Sequence, residues 1–228
     1  MNALLLVGSP KGQAGTSHAV GEALFRRLEA GGMAVEETTA AAALASDEGR
    51  ERFLGAVEAA DLVVVSFPLY VDQLPAPLIR ALELVAERRK GAPGVRSSAG
   101  RAAQRIAAIV QCGFPETHQN QPALDILRHF AAEAGFRWSG ALAMGMGGAI
   151  GRRPLDKPKG MLRSVVKALD LAAASLAAGN DIPAEASEFF GKPLMGKWLY
   201  LLAANLGMKR QARKHGVSKQ VYDRPYAA

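Results

Sequence analysis

The stretch ALLLVGSPKGQAGTS, residues 3–17, decides the fold. It begins with an unbroken apolar run, which is typical of a strand buried on both faces. A glycine-rich loop follows, and apolar residues then recur at helical spacing over 16–30. This order of strand, loop and helix predicts the first unit of a parallel sheet covered by helices on both sides.

The same alternation continues along the chain. Apolar runs predict further strands over 61–66, 105–111 and 136–144, and the less apolar stretch 33–38 is also predicted as a strand. Helical patterns lie between them, over 51–60, 78–89 and 122–134. Residues 91–100, rich in glycine, serine and proline, are predicted as a surface loop. We therefore predict an α/β fold, a doubly wound sheet of five parallel strands in the order 2-1-3-4-5, with its ligand crevice where strands 1 and 3 separate.

A C-terminal segment follows the predicted sheet. Residues 161–178 have a helical pattern, and 194–208 are apolar before a basic stretch. We expect 1–150 to form the ligand-binding domain and 151–228 a helical extension with a basic tail. The favoured interpretation of the tail is a helix packed on the domain or on a partner subunit. A helix lying on a membrane surface is the less favoured alternative.

The charge of the chain is concentrated at this end. The 228 residues carry a net charge of +7. Residues 1–191 balance their charges, whereas 192–228 hold eight basic residues and one acidic residue, Asp223. Because the positive charge is confined to one segment, general binding of nucleic acid by the whole protein is not expected. Cys112 is the only cysteine, which excludes an intrachain disulfide and a cysteine-rich metal site. We expect the protein to bind no metal and to be cytoplasmic.

The loop after the first strand has the chemistry of an anion site. It leads into a helix N-terminus, where unpaired N–H groups and the helix dipole favour negative charge. Ser9, Thr16 and Ser17 supply hydroxyls, and Lys11 supplies a positive charge. A plain turn in which Thr16 or Ser17 caps the helix is an equally open interpretation.

The loop after the third strand is apolar, aromatic and rich in proline. We expect Tyr70 to stack beside a planar ring, with Pro68 and Leu69 as a rigid wall. We expect Phe67 and Leu74 to be core residues instead.

The loop after the fourth strand offers Gly113, which permits close approach of backbone to a ligand. Glu116 and His118 are candidate contacts to sugar or substrate, although an exposed position is favoured for His118. Cys112 is expected to be a small buried residue and not a nucleophile.

These three motifs together resemble one family. The pattern Gly-Ser-Pro-Lys…Thr-Ser, then Phe-Pro-Leu-Tyr-Val-Asp-x-Leu-Pro-Ala-Pro, then Gly-Phe-Pro-Glu is similar to the NAD(P)H-dependent FMN reductase and quinone reductase group of flavodoxin-like proteins, over about 1–150. The resemblance implies phosphate contacts from Ser9, Lys11, Thr16 and Ser17. It implies ring contacts from Pro68, Leu69 and Tyr70 on one edge, and from Cys112, Gly113 and Phe114 on the other. Two departures are Lys11, where the family often has Arg, and Cys112-Gly113, where glycine pairs are frequent.

The resemblance also implies an activity. FMN would pass electrons from NAD(P)H to a small acceptor such as a quinone, an azo or nitro compound, or a flavin. No catalytic side chain is assigned, because the cofactor carries the chemistry. The resemblance further implies a homodimer. Two alternatives remain open, a flavodoxin-type electron carrier and a binding module without cofactor on the same fold.

Overall fold

A computed structural model describes residues 1–90, 103–151, 153–157 and 159–224 of the chain. The strands are β1 (Asn2–Val7), β2 (Ala34–Thr39), β3 (Leu62–Pro68), β4 (Arg105–Gln111) and β5 (Arg137–Met144). They form one parallel sheet in the order β2-β1-β3-β4-β5, which confirms the predicted topology. The predicted loop at 91–100 lies outside the described residues.

The helices cover both faces of this sheet. They are α1 (Thr16–Ala30), α2 (Ala40–Leu44), α3 (Asp47–Ala59), α4 (Ala76–Lys90), α5 (Gln121–Glu133), α6 (Arg163–Ala177), α7 (Ala184–Phe190) and α8 (Lys197–Lys214). Two hydrophobic cores result, one under α1, α6 and α7 and the other under α2 to α5. Alternate residues of a strand serve opposite cores: Leu5 lies in the first and Leu4 in the second.

The segment after β5 contributes to the first core. In α6, Leu169 is fully buried, and Phe190 of α7 is equally inaccessible. Both helices therefore complete the cover of the sheet, and residues on either side of position 150 share one core. The expected division at residue 150 stays a prediction.

Two short helices have no counterpart among the predicted ones. The first, α2, is separated from α3 by Ser46, whose hydroxyl accepts a hydrogen bond of 3.0 Å from the N–H of Gly49. A serine at this position ends one helix and caps the next. The second, α7, has only seven residues, too few for a clear helical period. No helix among the described residues is long and apolar enough to cross a bilayer.

Candidate functional site

The site lies at the carboxyl ends of β1 and β3, where the chain leaves the sheet in opposite directions. The N–H of Gly8 donates to the carbonyl of Ser66 over 2.8 Å, which joins the two strand ends. The hydroxyl of Ser66 donates to the carbonyl of Ser17 over 2.6 Å, so β3 also holds the first turn of α1. This is the crevice in which doubly wound folds bind ligands.

The first loop, residues 8–17, buries two hydroxyl groups at the start of α1. Ser9 is 6 % exposed and accepts a hydrogen bond of 3.3 Å from the N–H of Lys11. Ser17 is 1 % exposed, and its hydroxyl has no hydrogen-bond partner among the described residues. A buried polar group without a partner costs free energy, so the Ser17 hydroxyl favours a ligand atom.

The helix cap differs from the alternative considered for this loop. The N-cap of α1 is Gly15, and no side chain caps the helix. Thr16 instead donates to the carbonyl of Gly147 over 3.5 Å, which links the first loop to the segment after β5. Lys11 is exposed, with its charge available at the surface of the loop. The start of α1 thus keeps its anion-binding character.

The second loop begins as β3 ends and makes a tight turn. Pro68 and Leu69 are buried, and Leu69 belongs to the same core as Phe67 and Leu74. Tyr70, by contrast, is 42 % exposed. Of the three residues expected to wall a ring, Tyr70 is therefore the one with accessible surface.

The turn after Tyr70 is strained. Tyr70 and Gln73 exchange backbone hydrogen bonds of 3.0 and 3.1 Å. Between them Val71 and Asp72 have φ of 47° and 62°. Two left-handed residues in succession make a type I′ turn, which ordinarily uses Asn and Gly. Such strain clusters at ligand sites, where a loop must present a particular side chain.

The third loop, residues 112–120, folds around the Cys112 thiol. The sulfur lies 3.7 Å from the carbonyl oxygen of Phe114 and 3.6 Å from that of Glu116. It also accepts from the Asn120 side-chain amide over 3.6 Å. Burial raises the pKa of the thiol. Cys112 is thus buried, as expected, and its contact with a ligand stays a prediction.

The third loop presents its neighbours to solvent. Gly113 and His118 are exposed, and Phe114 is 51 % exposed. Glu116 forms an ion pair of 2.5 Å with Lys197, and the hydrogen bond from Lys197 lowers the pKa of its carboxyl group. Phe114 and Gly113 are therefore open to a ligand, whereas Glu116 is already paired.

A fourth loop, which begins at Gly145 after β5, is hydrogen-bonded to the third loop. The N–H of Met146 donates to the carbonyl of Phe114 over 2.7 Å, and that of Gly147 to the carbonyl of Cys112 over 2.9 Å. A β-carbon at Gly145 would stand 2.5 Å from the Pro115 carbonyl oxygen, and one at Gly147 only 1.8 Å from Oε1 of Gln111. The sequence marks this loop as glycine-rich, but its role in supporting the third loop was not predicted.

The C-terminal helix α8 also reaches the site, which sequence reasoning missed. The Tyr200 hydroxyl donates to the carbonyl of Gly113 over 2.8 Å, and Lys197 pairs with Glu116. Burial raises the pKa of Tyr200. More than 80 residues separate these partners along the chain, so no local pattern could have indicated the contact.

Comparison with solved structures gives the same fold. An FMN-dependent NADH-azoreductase from Bacillus anthracis, solved in complex with FMN, is 15% identical, with a TM-score of 0.55 over 78% of this chain and 100% of that chain. A candidate quinone reductase from Klebsiella pneumoniae is 16% identical, with a TM-score of 0.54 over 80% and 87%. A flavodoxin from Pseudomonas aeruginosa, solved as a mutant, is 16% identical, with a TM-score of 0.50 over 78% and 97%.

The comparison with curated proteins finds no match. The family model described as flavodoxin-like fold matches residues 1–145, which is more than half of the chain. That range contains all five strands and the first three loops of the site. The chain therefore belongs to the flavodoxin-like family, the group that its loop motifs resemble.

Proposed function

We propose that this protein binds FMN and uses it to reduce a small acceptor with electrons from NAD(P)H. The buried Ser17 hydroxyl carries the proposal, because it lies at the start of α1 without a hydrogen-bond partner. The FMN phosphate would accept hydrogen bonds there and at the first N–H groups of α1. Ser9 and Lys11 stand on the same loop, and Thr16 begins the helix.

The residues of this loop fit a phosphate in size and charge. A phosphate has several strong acceptor oxygens and needs donors, which serine hydroxyls and helix N–H groups supply. Lys11 adds a point charge in place of the bidentate contact that Arg would make. This chain's residues therefore bind and hold the phosphate without a P-loop lysine.

The ring of FMN would lie between the second and third loops. Tyr70 and Phe114 are aromatic side chains with about half of their surface exposed. The space beside Gly113 is open, because a β-carbon at this position would meet no heavy atom within 4 Å. Bound FMN supplies hydride and electron transfer. The protein's part is to orient the ring and to leave one face open, so no acid or base is assigned to Glu116 or His118.

The reductase activity rests on the family resemblance. The structural neighbours include a protein named as an NADH-azoreductase and another named as a flavodoxin, so the fold alone is compatible with an enzyme and with a carrier. A homodimer and a cytoplasmic location stay predictions.

FMN binding can be tested by quenching of FMN fluorescence on titration with protein. We expect Ser17→Ala to weaken binding about 10-fold or more, because a hydrogen bond to a charged group is lost. Ser139→Ala is the matched control, since Ser139 is also buried without a hydrogen-bond partner but lies within β5. Binding that is unchanged in Ser17→Ala, or equally weakened in both variants, would contradict the proposed phosphate site.

Turnover distinguishes the reductase from its alternatives. Steady oxidation of NADH or NADPH by FMN-loaded protein with a soluble quinone is the expected result. Retention of FMN without such oxidation would indicate an electron carrier. A colourless protein that takes up no added FMN would indicate a binding module without cofactor.

A further inference from the structure

The helix α8 lies outside the hydrophobic core. None of its 18 residues, all of which the structure describes, is buried. It is tied to the body by the Tyr200 hydrogen bond to Gly113 and by the ion pair of Lys197. A helix that is bound to its own domain near its first turn leaves most of its surface for another partner.

The exposed surface of α8 is apolar over its first three turns. Trp198 is 75 % exposed and Leu206 61 %. Four further residues of these turns are also large, apolar and exposed: Leu199, Leu201, Leu202 and Met208. Trp198, Leu202 and Leu206 are four residues apart and so share one side of the helix, opposite the half-buried Tyr200. We call this side the outer stripe.

Positive charge continues the outer stripe. Lys209 and Arg213 follow Trp198 by 11 and 15 residues, which places them on the same side of the helix, toward its end. Further basic residues follow or lie between them: Arg210, Lys214, Lys219 and Arg224. The stripe is thus apolar at the site end and cationic beyond it, and together with the neighbouring basic residues it holds most of the chain's excess charge.

We propose that α8 and the basic residues after it dock the protein on an anionic lipid surface. The apolar part of the outer stripe would lie at the boundary between headgroups and acyl chains, where Trp198 is well suited to an interface that is half apolar and half wet. The cations would contact the headgroup phosphates. This inference stands independently of the proposed reductase function.

The two halves of the stripe decide between possible partners. A second copy of the chain would cover the leucines, but its own basic segment would repel this one. The remainder of the chain has no net charge with which to neutralise the cations. A nucleic acid would neutralise the cations but leave the leucines and Trp198 in water. An anionic bilayer accommodates both halves, because the binding of a helix at a membrane interface grows with its buried apolar area and with its attraction to anionic lipids.

The electrostatic half is tested by sedimentation of the full-length protein with vesicles. We expect binding to equimolar phosphatidylcholine and phosphatidylglycerol, and little to phosphatidylcholine alone. K209Q/R210Q/R213Q/K214Q should weaken the partition coefficient by at least about 100-fold, because each basic residue near the surface contributes about fivefold. The control R26Q/R52Q/R80Q/R128Q removes the same charge from exposed helical positions of the body and should bind as the wild type does.

The apolar half is tested through Trp198 fluorescence in a Trp138→Phe background. Emission should shift to the blue with the anionic vesicles, and Leu202→Ser with Leu206→Ser should reduce both the shift and the sedimentation. The proposal would be overturned by the absence of sedimentation with anionic vesicles or by an equal loss in the body control. A Trp198 emission that is already blue in a dimer without lipid would overturn it as well. Tight binding to duplex DNA that is insensitive to the leucine substitutions would also overturn it, in favour of a general polyanion site.

Discussion

At the scale of single residues, the Cys112 side chain holds the third loop together through its sulfur. Burial raises the pKa of its thiol, so the thiol stays protonated at neutral pH. The folded state then binds the proton more tightly than the unfolded state. The resulting contribution to stability is complete below the pKa of the unfolded thiol and is lost as the pH rises through the pKa of the folded one.

This position predicts slow alkylation. We expect iodoacetamide to modify Cys112 at pH 8 at least about tenfold more slowly in the folded protein than in urea, because the thiolate is the nucleophile and the folded thiol is buried. Mass spectrometry of timed samples measures both rates. Equal rates in the two states would show that the third loop opens freely.

Val71 is a second residue with a measurable effect. A β-branched residue at φ 47° costs about 1–2 kcal/mol relative to an ordinary conformation. Val71→Asn should therefore raise the free energy of unfolding by about 1 kcal/mol, since Asn tolerates the left-handed region. Val217, an exposed valine with φ −106°, is the matched control, and Val217→Asn should give no such gain in urea unfolding. A loss of stability in Val71→Asn would mean that the valine side chain makes contacts worth more than the strain.

At the scale of elements, Arg105 joins the sheet to α6. Its guanidinium donates to the carbonyls of Leu176 and Asn180, each over 3.0 Å, at the C-terminal end of the helix. The residue is 5 % exposed, and burial lowers its pKa. A cation at this end also complements the helix dipole.

We expect Arg105→Gln to lower the free energy of unfolding by about 2–4 kcal/mol, because the buried carbonyl of Leu176 and the part-buried carbonyl of Asn180 lose their donor. Arg26→Gln, on the exposed side of α1, should change it by less than about 0.5 kcal/mol. Urea unfolding followed by circular dichroism measures both variants. A midpoint for Arg105→Gln equal to that of the wild type would contradict the capping role.

The elements that could be predicted from the sequence are those whose burial dominates their composition. The runs at 3–7 and 62–65 are apolar on both faces, which predicts central strands directly. The short α7 depends on Phe190 entering a core built by distant helices, and this information is not local. The turn at Val71 contradicts its own residue preference and so could not be predicted from it.

At the scale of the whole molecule, the position of α6 predicts where the chain can be cut. Ending the chain at residue 196 removes no buried residue of α8 and should lower the free energy of unfolding by about 1 kcal/mol or less, through the loss of the Tyr200 and Lys197 contacts. Ending it at residue 150 removes Leu169 and Phe190 from the core and should prevent folding. Thermal unfolding of the two truncated chains is the measurement. A cooperative transition in the 1–150 chain would support the domain division expected from the sequence.

The candidate site could be predicted from the sequence in part, for a physical reason. Its loops follow strands, and parallel strands bring their carboxyl ends to one edge of a sheet, so the strand order by itself places the chemistry of the loops. The lack of a partner for the Ser17 hydroxyl depends on atoms contributed by other segments. The hydrogen bond from the Tyr200 hydroxyl to the Gly113 carbonyl likewise depends on packing over the whole chain.

The fourth loop has a consequence for how this scaffold can change. Gly145 has the backbone carbonyl oxygens of Phe114 and Pro115 where any other residue would place its β-carbon, so it admits no larger side chain without moving the third loop, whereas a larger residue at Gly147 requires the Gln111 side chain to turn away. This part of the crevice is closed to diversification. New specificities can arise by exchange at Tyr70 and Phe114, whose side chains are exposed, while the loop beneath keeps its shape.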